Sequence, residues 1–341
     1  MNFVTVKIDR EIFEKEKFHP QLLESIDDAL KNKERVFVLA GRKGTASGIM
    51  CWDCGFVLKC NSCESPLSFY EKIQDSRFRI QDSNQLVCRH CATTYSPPTT
   101  CPNCLGVNFK YFGYGILELY KTLKERFPTQ PLFIISSDEI KNVKQLSEKL
   151  NRFEKVGGIL LGTELALKES LPKTMLSIVF LLEQLLVFPD YKIRERVRKI
   201  IHFLCQKSKS VIVQTFNPDN EFLELIKNPE KFYEHELLNR EHFFLPPYSI
   251  LTKIKIKDKN NLRALTKISY LRRDIEQRIA QKDLHIEVLG PVHAFIPRIK
   301  NFWIFELILK VDPRIPLEER TAIFSLASPE FIIDVEPKSL I

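Results

Sequence analysis

Eight cysteines stand in four Cys-x-x-Cys pairs: Cys51/Cys54, Cys60/Cys63, Cys88/Cys91 and Cys101/Cys104. That spacing lets two thiolates of one short turn converge on a single ion, at Zn–S distances of about 2.3 Å. Four pairs supply eight ligands, enough for two closed tetrahedral sites. A closed site of four cysteines has no open coordination position, so its role is structural and not catalytic. Two structural Zn²⁺ ions are therefore expected. A disulfide framework needs an oxidising compartment, which nothing in the chain signals. Four tandem pairs do not suit a redox dithiol, and ferredoxin-type iron–sulfur runs are spaced differently. His90 lies between Cys88 and Cys91 and is read as a bystander, since the thiolates suffice. Spacing leaves the pairing open. Sequential sites would join 51/54 with 60/63, whereas nested sites would join 51/54 with 101/104 around 60/63 with 88/91. Cys205 stands alone and reads as a buried helix residue.

The elements around the cysteines alternate. Residues 19–33 place Leu22, Leu23, Ile26 and Leu30 on one helical face,. Residues 36–40 read as a buried strand and 41–48 as a loop. After the cysteines, 116–127 and 143–153 read as helices, with strands at 132–135, 158–161 and 176–182. A helix over 190–206 and a strand over 210–215 follow. Strands alternating with helices imply a parallel sheet in a doubly wound α/β layer. The cysteine module reads as an insertion after its first strand. Beyond Pro218 come two helices (221–226 and 233–243). Residues 250–257 alternate Ile and Lys, as in a half-buried strand, whose lysines Lys253, Lys255 and Lys257 read as a solvated, edge-protecting face. A long amphipathic helix over 262–279 follows. Strands at 286–289 and 302–310, a helix at 317–326 and a strand at 331–335 complete a β-α-β-β-α-β order, which is ferredoxin-like.

The chain has 341 residues, which suggests two to three domains,. Its 44% apolar and 28% charged residues are those of a globular protein,. No apolar run approaches the roughly 18 residues of a membrane span, and residues 1–10 carry no signal-peptide core. No membrane partner is expected, and the cytoplasm is the expected compartment. The formal net charge of +8 permits nucleic-acid binding without requiring it. Eight thiolates holding two Zn²⁺ would halve that excess.

Several stretches resemble the C-terminal half of the primosomal protein N′ (PriA) family of bacterial replication-restart helicases. Gly41-Arg42-Lys43-Gly44 resembles the family's Asn-Arg-Arg-Gly, and Cys51-Trp52-Asp53-Cys54-Gly55 with Cys101-Pro102-Asn103-Cys104 its paired zinc ribbons. Leu161-Gly162-Thr163-Glu164 is similar to Leu-Gly-Thr-Gln. Pro189-Asp190-Tyr191 with Glu195-Arg196 is similar to Pro-Asp-Phe-Arg followed by Glu-Arg. Gln214-Thr215-Phe216-Asn217-Pro218, Glu236-Leu237 with Arg240, Leu245-Pro246-Pro247-Tyr248, Leu289-Gly290-Pro291 and 333–337 follow in the family's order. The resemblance covers essentially the whole chain. It implies a second RecA-like helicase lobe (1–47 and 105–218), a double zinc-ribbon insertion (48–104) and an α+β C-terminal domain (219–341). It also implies nested zinc sites: Cys51, Cys54, Cys101 and Cys104 on one ion, and Cys60, Cys63, Cys88 and Cys91 on the other.

The departures matter equally. A helicase motor needs the Gly-x-x-x-x-Gly-Lys-Ser/Thr loop and an acidic box from a first lobe, and the chain has neither. The family's Gln-Val-Ala-Gly-Arg-Ala-Gly-Arg aligns with Phe203-Leu204-Cys205-Gln206-Lys207-Ser208-Lys209-Ser210, so both arginines are lost. A lysine lacks the planar fork of an arginine finger. The chain thus resembles an ATP-dependent 3′-5′ DNA helicase but is not expected to hydrolyse ATP alone. The family's Gly-Arg-Tyr-Arg-Trp-Gln becomes Asn301-Phe302-Trp303-Ile304-Phe305-Glu306. The two missing charges argue against docking of the acidic tail of single-strand DNA-binding protein. The expected role is a replication-restart factor that binds forked or single-stranded DNA, primosome proteins and a replicative helicase loader. Arg42, Lys43, Arg77, Phe78 and Arg79 are the candidate DNA contacts, Phe78 offering base stacking between two phosphate-binding arginines. Half of a split helicase and a zinc-ribbon docking module without DNA binding are the alternatives.

Overall fold

The computed structural model describes residues 3–340 except 42–45, 52, 55, 62–66, 71–84, 89–92, 138, 169–170 and 187–189. In chain order the first elements are β1 (Val4–Lys7), α1 (Arg10–Glu16), α2 (Pro20–Lys31) and β2 (Arg35–Leu39). The cysteine segment holds β3 (Ala46–Cys51), β4 (Leu67–Tyr70), β5 (Gln85–Cys88), β6 (Thr94–Tyr95) and β7 (Phe109–Tyr114). Then come α3 (Ile116–Arg126), β8 (Leu132–Ile135), α4 (Val143–Val156), β9 (Gly158–Gly162), β10 (Thr174–Val179), α5 (Leu182–Leu186), α6 (Ile193–Lys207) and β11 (Ser208–Thr215). The last part comprises α7 (Glu221–Lys227), α8 (Pro229–His242), β12 (Ile250–Asp258), α9 (Asn261–Lys282), β13 (Ile286–Ile299), β14 (Phe302–Val311), α10 (Leu317–Phe324) and β15 (Phe331–Val335).

Six strands form one parallel sheet in the order β1-β11-β10-β2-β9-β8. Its strands are apolar on both sides, as strands covered on both faces must be. In β2, Val36 and Val38 face the core shared with α1, α2 and α3. Phe37 and Leu39 face the opposite core, with α4, α6, α7 and α8. The edge strand β1 was not read from the sequence. It pairs with β11 (Val4↔Ile212, Lys7↔Thr215), more than two hundred residues away. Residues 176–182 divide into the end of β10 and the start of α5, and helix α6 begins three residues later than expected.

The cysteine segment forms a five-stranded antiparallel sheet, order β6-β5-β4-β3-β7. Residues 46–51, read partly as loop, are strand β3, paired with β7 from Ala46↔Tyr114 to Cys51↔Phe109. A small core of Ile49, Leu58, Cys60, Leu67, Phe69, Leu86 and Cys88 fills it.

The last sheet has the order β13-β14-β12-β15, with antiparallel neighbours throughout. Ile254 and Ile256 of β12 and Leu307 and Leu309 of β14 pack beneath α9. The reading of Lys253, Lys255 and Lys257 as a solvated, edge-protecting face is corrected for the strand's place in the sheet and for Lys253 and Lys255; Lys257 is exposed. β12 lies between β14 and β15, and Lys253 is only 2% exposed. Lys255 pairs with Glu306 at 3.4 Å. Burial pulls the Lys253 ammonium below its usual pKa. Among the described residues, no helix is long and apolar enough to cross a membrane.

Candidate metal centre

Two turns build the site. In the first, the Cys51 N–H donates to the Phe56 carbonyl (2.8 Å), and the Leu58 N–H donates to the Ile49 carbonyl (2.9 Å). In the second, the Cys101 N–H donates to the Gly106 carbonyl (2.8 Å), and the Leu105 N–H to the Cys101 carbonyl (2.9 Å). Leu105 takes a left-handed φ of 62° to close that turn. The Cys51↔Phe109 pairing of β3 with β7 sets the two turns side by side, although they are far apart in sequence.

The four sulfurs Cys51, Cys54, Cys101 and Cys104 lie within 4.8 Å of one another. Cys51 and Cys104 Sγ are 3.6 Å apart, and Cys54 and Cys101 Sγ 3.7 Å. A tetrahedron of thiolates around Zn²⁺ at about 2.3 Å places its corners about 3.8 Å apart. Disulfides need about 2.05 Å, and these cysteines are free. The group can hold a metal ion of zinc's size and ligand preference.

The electrostatics point the same way. Burial pushes the Cys51 thiol up. The Phe56 N–H and the Asn103 amide draw Cys54 down to about 7. At Cys104 the Gly106 N–H favours the thiolate, but Cys54, burial, Cys51 and Cys101 outweigh it and push the thiol up to about 12. Thiols this close cannot all ionise unless a cation sits among them. N–H groups already aim at the sulfurs: Asn103 donates from its backbone to Cys101 Sγ (3.4 Å) and from Nδ2 to Cys54 Sγ (3.6 Å). Asn108 Nδ2 donates to Asp53 Oδ1 at 2.8 Å and steadies the turn between the first two cysteines.

Of the other predicted ligands, Cys60 and Cys88 are buried in the module core. Cys63, Cys91 and His90 lie outside the described residues, as do Arg42, Lys43, Arg77, Phe78 and Arg79. Cys205 lies on α6, as its helical pattern implied, but is half-buried against the core and not fully buried. Sequence reasoning missed Asn103 and Tyr95. Tyr95 Oη lies 3.1 Å from Cys60 Sγ and accepts from the Asn61 N–H at 3.1 Å. Their position beside or between cysteine pairs was the only signal.

The motifs outside the module bond to one another. Arg196 donates twice to Glu164 Oε2 (2.9 and 2.6 Å). Arg240 pairs with Glu195 (3.3 Å) and Glu236 (3.4 Å) and donates to the Pro246 carbonyl (3.2 Å). The buried Gln214 amide accepts from the His19 N–H and donates to the Lys17 and Phe180 carbonyls.

Comparison with known proteins adds the relatives. Replication restart protein PriA of Thermotoga maritima is 27% identical over 308 residues, covering 86% of this chain and 39% of the relative. The PriA of Bacillus subtilis is 24% identical over 303 residues, covering 86% and 36%. That of Synechocystis is 27% identical over 328 residues, covering 91% and 38%. The chain resembles part of PriA. It spans less than two-fifths of the length of these PriA relatives. No protein-family model matches the chain. The order of its motifs corresponds to the C-terminal half of PriA.

Proposed function

We propose that the chain is a PriA-like replication-restart factor that binds branched or single-stranded DNA and primosome proteins and does not unwind DNA on its own. The carrying observation is the grouping of the Cys51, Cys54, Cys101 and Cys104 sulfurs within 4.8 Å of one another in a chain similar to PriA across most of its length. In this reading these four cysteines hold one structural Zn²⁺, and Cys60, Cys63, Cys88 and Cys91 hold a second. Residues 48–104 are a double zinc ribbon inserted into a RecA-like lobe formed by 1–47 and 105–218. Residues 219–341 are a ferredoxin-like domain, a reading supported by the β12-α9-β13-β14-α10-β15 order and the β13-β14-β12-β15 sheet. Arg42, Lys43, Arg77, Phe78 and Arg79 contact DNA, and the protein works in the cytoplasm.

The test is binding of the zinc-loaded protein to a labelled fork, a single strand and a duplex across a salt series, by fluorescence anisotropy. The reading requires preference for the fork and a log-affinity that falls linearly with log salt, at about 0.9 per phosphate contacted on duplex DNA. It also requires binding to collapse when zinc is chelated. No binding at low salt with both zincs retained would refute the DNA role and leave a protein-docking module.

A further inference from the structure

We infer that Asn103 is a positioning residue for the metal site, its side-chain amide donating to the Cys54 thiolate while its backbone holds Cys101; this rests on the reading that Cys51, Cys54, Cys101 and Cys104 share one Zn²⁺. Asn103 is the third residue of the Cys101–Cys104 turn. Its backbone N–H donates to Cys101 Sγ at 3.4 Å, within its own turn, and its Nδ2 donates to Cys54 Sγ at 3.6 Å, across in the other turn. One residue therefore bonds a ligand from each cysteine pair. Asp53, the third residue of the Cys51–Cys54 turn, crosses in the opposite direction. Its Oδ1 accepts from Asn108 Nδ2 at 2.8 Å, and its Oδ2 lies so close over Gly106 that a Cβ there would be 2.0 Å away. The two turns hold each other, and this fixes the reach of Asn103 to Cys54.

Chemistry sets the direction of the bond. A metal-bound thiolate can only accept, and the NH₂ end of the amide can only donate. An N–H bonded to an ionised sulfur is charge-assisted. Its place matters because the four ligands are not equally covered. Cys51 and Cys101 are 0% exposed, whereas Cys54 and Cys104 are exposed residues. A chelator or a proton therefore meets the site at the exposed pair. There the Asn103 amide stabilises one sulfur in its ligating form and fixes the direction from which that sulfur meets the ion. Outer-shell partners of this kind change metal affinity by about 10- to 100-fold when removed.

The experiment compares wild type, Asn103→Ala and Asn103→Asp in the full chain. The Asp variant keeps the size of the side chain but removes the donor and turns a charged oxygen towards the sulfur. Each protein is held at a series of buffered free Zn²⁺ concentrations and alkylated with iodoacetamide. Peptide mapping then reads Cys51, Cys54, Cys101 and Cys104 one by one. Asn103→Ala is expected to need about 10-fold more free Zn²⁺ to protect these cysteines, and Asn103→Asp more still, towards about 100-fold. A residue that only filled space would give the reverse order, with Asn103→Asp near wild type. A loss in Asn103→Asp no greater than in Asn103→Ala, or wild-type protection in both, would overturn the inference alone. Alkylation of the same cysteines in the wild type at one rate with and without Zn²⁺ would overturn the shared-zinc reading, and this inference with it.

Discussion

Stripping the metal should unfold the cysteine module and leave the parallel sheet intact. The described module core holds five apolar side chains besides its two cysteines: Ile49, Leu58, Leu67, Phe69 and Leu86. At about 1.5–3 kcal/mol each, their burial contributes about 7–15 kcal/mol. That is a small core for a module of this length, so bound metal is expected to carry much of its stability. Structural zinc contributes about 10–16 kcal/mol per site in small zinc domains. The two cores flanking the parallel sheet include no described residue of 48–104, so they owe the module no packing. Amide hydrogen exchange reads both parts at once. The amides of Cys51, Leu58, Leu67, Cys101 and Leu105 close the module's turns. After chelation their protection should fall by at least about 10³-fold, the equivalent of about 4 kcal/mol at 1.4 kcal/mol per decade. Amides of β2 and β10 should stay within a few-fold of their starting values. Unchanged protection at the five module amides, with zinc shown to be gone, would refute the metal as the module's main support. Parallel loss in β2 and β10 would refute the independence of the two cores.

Two further perturbations test the fold that carries the module. Arg263, together with the Asn260 N–H, holds the Asp258 carboxylate down to about 2, against about 3.9 in an unfolded chain. Between those values the unfolded state binds more protons, so this stabilisation is complete above pH 4 and is lost as pH falls towards 2. Asp258→Asn should flatten the acid limb of stability in that window, read as urea midpoints at pH 4 and 2.5; an acid limb as steep as wild type would count against the pair. At the start of β9, Gly158 has φ +92°, and a Cβ there would lie 2.3 Å from the Pro131 carbonyl oxygen, whereas at Gly157 (φ +75°) the nearest atom is 3.7 Å away. Gly157→Ala should cost about 1–3 kcal/mol for its positive-φ, extended-ψ backbone (ψ −160°) alone,, and Gly158→Ala clearly more in the same denaturant titration; equal costs would refute the close approach.

How much of this was legible depended on where each signal was stored. The inner strands of the parallel sheet were readable because burial on both faces leaves continuous apolar runs, as in residues 36–40,. The four residues of β1 hold too little pattern, and their pairing with residues 212–215 is a long-range decision. Alternation marked β12 as a strand but could not give its rank in the sheet. Lys253 is buried because β14 and β15 both flank β12, which no local pattern records. The Cys-x-x-Cys turns were plain, yet the choice of partners was not. The antiparallel pairing of β3 with β7 brings 51/54 to 101/104.

The same structure shows what several of the motif residues do within the fold. Glu164 and Arg196 bond to each other, Arg240 ties Glu195 and Glu236 to the Pro246 carbonyl, and Gln214 fastens the α1–α2 turn to the sheet. Each of these residues serves the shape of the chain whether or not a nucleotide is present. The stretch where the family's arginines are replaced behaves differently. Helix α6 ends at Lys207 and β11 begins at Ser208 with no intervening loop. The Ser208 hydroxyl is engaged inside the sheet, 2.8 Å from Thr174 Oγ1 and 2.6 Å from Ser177 Oγ. The Lys207 ammonium lies over the Phe203 ring, 5.8 Å from its centre. The segment is committed to strand start and local packing. Motif positions of both kinds are thus tied into the fold, Glu164, Arg196, Arg240 and Gln214 by bonds between distant segments and Ser208 by hydroxyl contacts to the neighbouring strand β10.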